Sequence, residues 1–161
     1  MAKDFEEKKE KFLKKPELLA PAGNLTKLKI ALEYGADAVY GSVASFSLRT
    51  RSAREVNLET FKEAIDYTHA KRKKFYATIN AFPFNSQIEP LKRHLQTISA
   101  MKPDAFIIAT PGVMSLAKAI APDIEIHLST QANVMNVLDA KIYHDMGAKR
   151  IVVAREMNLK D

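Results

Sequence analysis

Residues 33–40, EYGADAVY, and residues 144–153, HDMGAKRIVV, follow one plan: the end of an amphipathic stretch, then Gly-Ala, one charged residue in the first and two in the second, and an apolar run. Gly35 and Gly147 stand where a helix must stop in a left-handed backbone, which glycine adopts without steric cost. The same helix-to-strand junction near both ends of the chain reads as a repeated βα unit. Between the junctions, short apolar runs alternate with amphipathic stretches of ten to fifteen residues, the pattern of a parallel sheet with crossover helices. The strands expected are 17–20, 36–41, 74–80, 105–110, 124–129 and 150–154, with five helices between them. Asn24 before LTKLKIALEY and Asn57 before LETFKEAIDY are residues whose side chains cap the free N–H groups of a helix start.

Six strands and five helices in consecutive order fit either an open doubly wound sheet or most of a (β/α)8 barrel. The glycine-rich phosphate loop of dinucleotide folds is absent, because the first strand leads into Pro21-Ala22-Gly23-Asn24. The expectation is therefore an α/β, TIM-barrel-like fold: an incomplete barrel over 16–161, preceded by a charged N-terminal helix over 1–15 with Phe5, Phe12 and Leu13 on one side. A complete barrel takes about 250 residues. The piece would carry two unpaired strand edges, covered by a second copy of the chain or by further polypeptide.

Composition narrows the function classes. Hydrophobic residues at 47% and charged residues at 27% describe an ordinary globular chain. No apolar run approaches the ~18 residues of a spanning helix, and the charged N-terminus lacks a signal-peptide core, so a cytoplasmic protein with no membrane partner is expected. With no cysteine, the chain holds no disulfide, no thiolate nucleophile and no iron–sulfur cluster. The net charge of +6 favours polyanionic partners. Part of that excess, Lys71-Arg72-Lys73-Lys74, reads as a solvated helix end complementing the helix dipole.

The fifth strand is unusual. In Ile124-Glu125-Ile126-His127-Leu128-Ser129 the apolar residues share one face and Glu125, His127 and Ser129 the other. Strand three repeats this, with Phe75, Ala77 and Ile79 opposed to Tyr76, Thr78 and Asn80. Barrel interiors are normally filled with branched apolar residues, and a buried polar group without a partner costs about 1–3 kcal/mol. A polar lumen therefore reads as a binding cavity. Its mouth gathers the loops after the strands, 21–24, 41–54, 81–86, 110–112, 130–133 and 155–156; the second of these supplies Arg49, Arg51 and Arg54, whose guanidinium groups suit carboxylate or phosphate.

PELLAPAGN (16–24), EYGADAVY (33–40), FSLR (46–49), IHLSTQANVMN (126–136) and GAKRIVVARE (147–156) together resemble the N-terminal region of the U32 peptidases, or collagenase-like proteases. The resemblance runs from about residue 16 to the C-terminus. It implies a barrel-like catalytic domain of which these are the first six strands. Members were named for collagen degradation; others act in tRNA or rRNA hydroxylation at pyrimidines, in some cases linked to prephenate, and some hold an iron–sulfur cluster on cysteines beyond this region. The strand-two exit, glycine-rich across the family, reads Tyr40-Gly41-Ser42-Val43 here.

Three chemistries then compete. A peptidase triad would use Ser129, His127 and Glu125, but positions two apart on a strand are about 6.6 Å apart and project in parallel, whereas nucleophile and base must meet at about 3 Å. A divalent metal would draw on Glu17, Glu125, His127 and Glu156, although no motif such as H-E-x-x-H is present. The third is recognition of a small anionic ligand, with tRNA or rRNA as macromolecular partner. There His127, Ser129, Gln131, Asn133 and Asn80 form hydrogen bonds, Arg49 and Arg155 clamp the anion, Tyr40 makes a wall, and Glu17 and Asn24 complete the binding set. His127, Glu125 and Glu156 are the candidate catalytic groups. The plainer accounts are a core histidine satisfied by its neighbours for His127, and capping of the following helix for Gln131 and Asn133. His69, His94 and His144 are expected at the surface of helices.

Overall fold

The computed structural model describes residues 15–43, 46–47, 57–158 and 160. The expected N-terminal helix, apart from Lys15, and the three arginines 49, 51 and 54 lie outside the described residues. Six parallel strands follow one another in chain order across one sheet: β1 (Leu19–Pro21), β2 (Ala38–Gly41), β3 (Lys74–Ile79), β4 (Ala105–Ile108), β5 (Glu125–Leu128) and β6 (Arg150–Ile151). Five helices alternate with them: α1 (Leu25–Glu33), α2 (Leu58–Ala70), α3 (Ile88–Ala100), α4 (Pro111–Ile120) and α5 (Val137–Asp145). This is the expected incomplete barrel, with β1 and β6 as its edges.

Two-residue alternation divides each strand between two environments. Val39, Phe75, Ala77, Ile79, Phe106, Ile108 and Ile126 face outward into the main core, where Leu28, Leu32, Phe61, Ile65, Leu91, Leu95, Ile98 and Met114 meet them from the helices. Burial of each large side chain contributes about 1.5–3 kcal/mol. The opposite face holds a smaller cluster of Ala38, Tyr76, Ala105 and Ile107, with Leu19 and Tyr40 against it. Register explains the grouping: Tyr76 lies opposite both Tyr40 and Ala105, and Ile107 opposite His127. The sheet curls enough that Ala38, Tyr76 and Ala105 on this concave face are at most 1% exposed.

The helix starts follow the sequence signals. The side chains of Asn24 and Asn57 accept from the N–H groups of Lys27 and Thr60, and Asn136 does the same for Leu138 and Asp139 at α5. Gly35 and Gly147 take positive φ, 94° and 101°. At the ends of α2 and α3 the left-handed position falls instead on Arg72 and Lys102, each with φ 57°. The basic run at 71–74 is accordingly more than a solvated helix end, because Lys73 pairs with Asp37 at 3.0 Å and Lys74 approaches Glu17 at 3.7 Å. Two aspartates tie the strand starts together: Asp37 accepts from Leu18 N–H, and Asp104 from Phe75 N–H. Both lie at the end of the barrel where the strands begin, the end associated with stability.

Candidate functional site

The concave face carries polar side chains at two levels. The lower one begins with Glu17, just ahead of β1. Its carboxylate accepts from the Tyr76 hydroxyl at 2.8 and 2.9 Å and from Arg150 Nη1 at 2.5 Å. Glu17 and Arg150 belong to the two edges of the sheet, so this contact crosses the concavity of the arc. The Arg150 guanidinium also lies 5.4 Å above the Tyr76 ring. The edge of the His127 ring meets Tyr76 with centroids 4.6 Å apart, and His127 Nε2 stands 3.3 Å from Glu125 Oε2.

These contacts set the charges. Burial opposes ionisation of Glu17, but Arg150 and Tyr76 donating to it outweigh that effect and hold its carboxyl below the usual carboxylate range. Burial, reinforced by the Glu17 carboxylate that accepts its proton, pushes the Tyr76 phenol up. Burial also pushes His127 down from the ordinary imidazole value, against the pull of Glu125. At neutral pH the lower level is thus an ionised carboxylate–guanidinium pair beside a phenol and a neutral imidazole.

The upper level lies where the strands end, at the face on which barrel enzymes build their sites. Asn80 and Ser129 directly follow β3 and β5, and both are buried. The Ser129 hydroxyl donates to Gln131 Oε1, and Ser47 Oγ donates to Asn80 Oδ1 at 3.5 Å. Residues 130–132 form a single 3-10 turn, closed by Asn133 in the left-handed conformation at φ 55°. Thr130 Oγ1 donates to the Val153 carbonyl and fixes this turn to the exit of β6. Beneath the rim, the Thr78 hydroxyl is the one buried side-chain polar atom among the described residues with no hydrogen-bond partner.

The expected site residues therefore separate. Glu17, His127 and Glu125 join the lower level; Asn80, Ser129 and Gln131 form the rim, and Tyr40 lines the wall between. Asn24 spends its side-chain oxygen on the α1 cap, and Asn133 is a turn residue whose amide contacts Met135 sulfur at 3.9 Å. Arg155 and Glu156 sit exposed on the turn after β6. Arg49 lies outside the described residues. Among the described residues no three His, Asp or Glu side chains are grouped to hold a metal ion, so Glu17, Glu125, His127 and Glu156 do not assemble as a ligand set. Of the supposed triad, His127 and Glu125 do meet at 3.3 Å, against the expectation that they project in parallel, but the Ser129 hydroxyl is directed to Gln131 and not to the imidazole. His94 corrects an expectation: it is half-buried and packs against the Phe46 ring at 5.3 Å, while His69 pairs with Asp104 at 2.9 Å.

Sequence reasoning assigned no role to Tyr76 or Arg150, although together they organise the lower level. The available signal was an arginine opening the otherwise apolar strand RIVV, a charge that needs a partner once the strand is placed in the sheet.

Comparison with known proteins adds to this geometry. The family model of peptidase family U32 matches residues 23–161. The tRNA hydroxylation protein P of Helicobacter pylori is 66% identical over 145 residues, covering 90% of this chain and 34% of that protein. A 23S rRNA 5-hydroxycytidine synthase of Escherichia coli K12 is 33% identical over 143 residues, covering 89% of this chain and 21% of that protein. The chain thus spans about a third or less of the length of these curated relatives. Among solved structures, the U32 peptidase Mk0906 superimposes with a TM-score of 0.66 at 16% identity, covering 87% of this chain and 60% of that one, a likeness of fold.

Proposed function

The chain belongs to peptidase family U32, and from that premise we propose that it forms barrel strands of an RNA-modifying enzyme that hydroxylates a pyrimidine in tRNA. The observation that carries this reading is the 66% identity to a tRNA hydroxylation protein across 90% of the chain. The geometry agrees with it. At the rim, Asn80, Ser129 and Gln131 offer uncharged hydrogen-bonding groups to a bound molecule, and the chain's charge of +6 favours a polyanion around them. A small anionic co-substrate is the second ligand of the reading, with Arg155 at the β6 exit as its described cationic contact.

The peptidase alternative finds less support. A serine peptidase needs its nucleophile hydrogen-bonded to a base, and the Ser129 hydroxyl is directed to Gln131. A metallopeptidase needs a ligand cluster, which the described residues do not form. An iron–sulfur cluster of the kind found in some relatives needs thiolates, and this chain contains no cysteine.

The test is mass spectrometry of nucleosides from bulk tRNA of cells with and without the gene. Loss of a hydroxylated pyrimidine nucleoside on deletion, restored by the gene in trans, is expected. An unchanged profile refutes the reading.

A further inference from the structure

The loop leaving β3 passes from the buried Asn80 to two large aromatic rings in water. Phe82 is 55% exposed and Phe84 77% exposed. Phe82 follows Asn80 by two residues, so its Cα lies within about 7 Å of the rim. The loop is tied down on both sides of the rings. Ala81 N–H donates to the Phe46 carbonyl at 3.1 Å. Phe84 N–H donates to Gln87 Oε1 at 2.9 Å, and Gln87 N–H returns to the Phe84 carbonyl at 2.8 Å. Pro83 between the rings fixes its own φ and has no N–H to satisfy.

We propose that Phe82 and Phe84 form a stacking platform for unpaired bases of single-stranded RNA at the mouth of the barrel. The proposal rests on the RNA-modifying reading and names the substrate feature its site engages. Exposed phenyl rings on a pinned backbone lose little entropy on binding, and every base offers a π-face, so stacking holds a strand without reading its sequence. A base to be modified must leave the helical stack, and rings beside the rim keep its unpaired neighbours apart while it enters. Position and charge select RNA over a second copy of the chain: the rings stand at the end where barrel enzymes act, on a protein of net charge +6.

The experiment uses the complete product of the gene and a fluorescent oligouridine, with duplex RNA of equal length as control, over a range of salt. Phe82→Ala and Phe84→Ala should each weaken oligouridine binding by roughly 5- to 150-fold. Duplex binding and the slope of affinity against salt should stay unchanged, because no phosphate contact is removed. Phe84→Tyr should restore binding, whereas Phe84→Leu, which keeps apolar bulk without a ring, should not. Wild-type oligouridine affinity in both alanine variants overturns the platform, as does an equal loss on duplex RNA or full binding by Phe84→Leu. A shift from dimer to monomer in the alanine variants, with RNA binding intact, assigns the rings to a contact between copies and also overturns it. Failure of the platform is separable from failure of the hydroxylation reading. A hydroxylated nucleoside that depends on the gene, beside ring-independent RNA binding, sinks only the platform. Ring-dependent binding beside an unchanged nucleoside profile sinks only the hydroxylation.

Discussion

Replacing Arg150 with alanine tests whether the contact across the concavity stabilises the arc. The guanidinium makes a 2.5 Å charge-assisted bond to Glu17 and lies 5.4 Å above the Tyr76 ring. A hydrogen bond to a charged group contributes about 1.5–3 kcal/mol, and an exposed cation–π contact about 0.5–1 kcal/mol. The side chains of Arg150 and Glu17 are 38% and 22% exposed, so solvent screens part of this. The net loss expected is about 2 kcal/mol, a fall in melting temperature of roughly 4–8 °C for a protein of this size. Glu17→Gln and the double variant complete a cycle by urea denaturation, with a coupling of at least ~1 kcal/mol expected. The acid limb gives a second readout. Glu17 has a lowered folded pKa, so its contribution is complete above its unfolded value of about 4.3 and is lost as pH falls through the folded value. The Glu17→Gln variant should therefore lose less stability below about pH 4 than the wild type. Additivity within ~0.5 kcal/mol, together with parallel acid limbs, refutes the argument.

Three further outcomes follow from single residues. His127 has a folded pKa held below the ordinary value of about 6.5, so its contribution is complete above that pH and falls as pH drops beneath it; a His127→Gln variant should show a flatter profile between about pH 6.5 and 5, read by chemical denaturation. Thr78→Val replaces a buried hydroxyl that lacks a partner with a methyl of the same shape; it should leave stability unchanged or raise it by up to ~1 kcal/mol, and a loss above that value would reveal a bond that the hydroxyl makes. Gly147→Ala puts a Cβ 2.3 Å from Lys118 Nζ at φ 101°; displacing that flexible tip is cheap, but the backbone strain should cost about 1–2 kcal/mol in a thermal melt.

Periodicity made the fold legible, and Asn24, Asn57, Gly35 and Gly147 made four of the ten helix ends so. All six strands overlap the runs that the alternation marked, because a strand inside a layer of helices must be apolar on its outer face whatever its inner face does. The edge strands differ in extent: β1 runs Leu19–Pro21 and not 17–20, and β6 covers Arg150–Ile151 and not 150–154. Arg72 and Lys102 hid two junctions, since nothing local announces that a long basic side chain will take a left-handed backbone. The site was legible by face and not by partner. Alternation placed Glu125, His127, Tyr76 and Asn80 on the concave side, but which groups meet depends on the curl of the sheet. That curl brings Glu17 to Arg150, residues distant in sequence that periodicity cannot relate. The Asn24 assignment shows the opposite failure: the position at the mouth was right, and the local helix start had first claim on the side chain.

The two polar levels of the concave face are built for different work. At the lower level the described groups are paired with one another: Glu17 is held by two donors, Tyr76 by Glu17, and His127 by Glu125 and the Tyr76 ring. Binding a ligand there would first require breaking a charge-assisted bond, a cost that only a comparably charged ligand group repays. At the rim the two bonds between described residues join neutral groups, serine to glutamine and serine to asparagine, each contributing about 0.5–1.5 kcal/mol net. Such bonds exchange readily for those of an incoming hydroxyl, amide or base edge. We propose from these energetics that ligand exchange occurs where the strands end and that rigidity is built where they begin, the division that barrel enzymes make between active face and stability face. On this ground Asn80→Ala and Ser129→Ala should impair the proposed tRNA modification more than they lower the melting temperature, and Arg150→Ala the reverse.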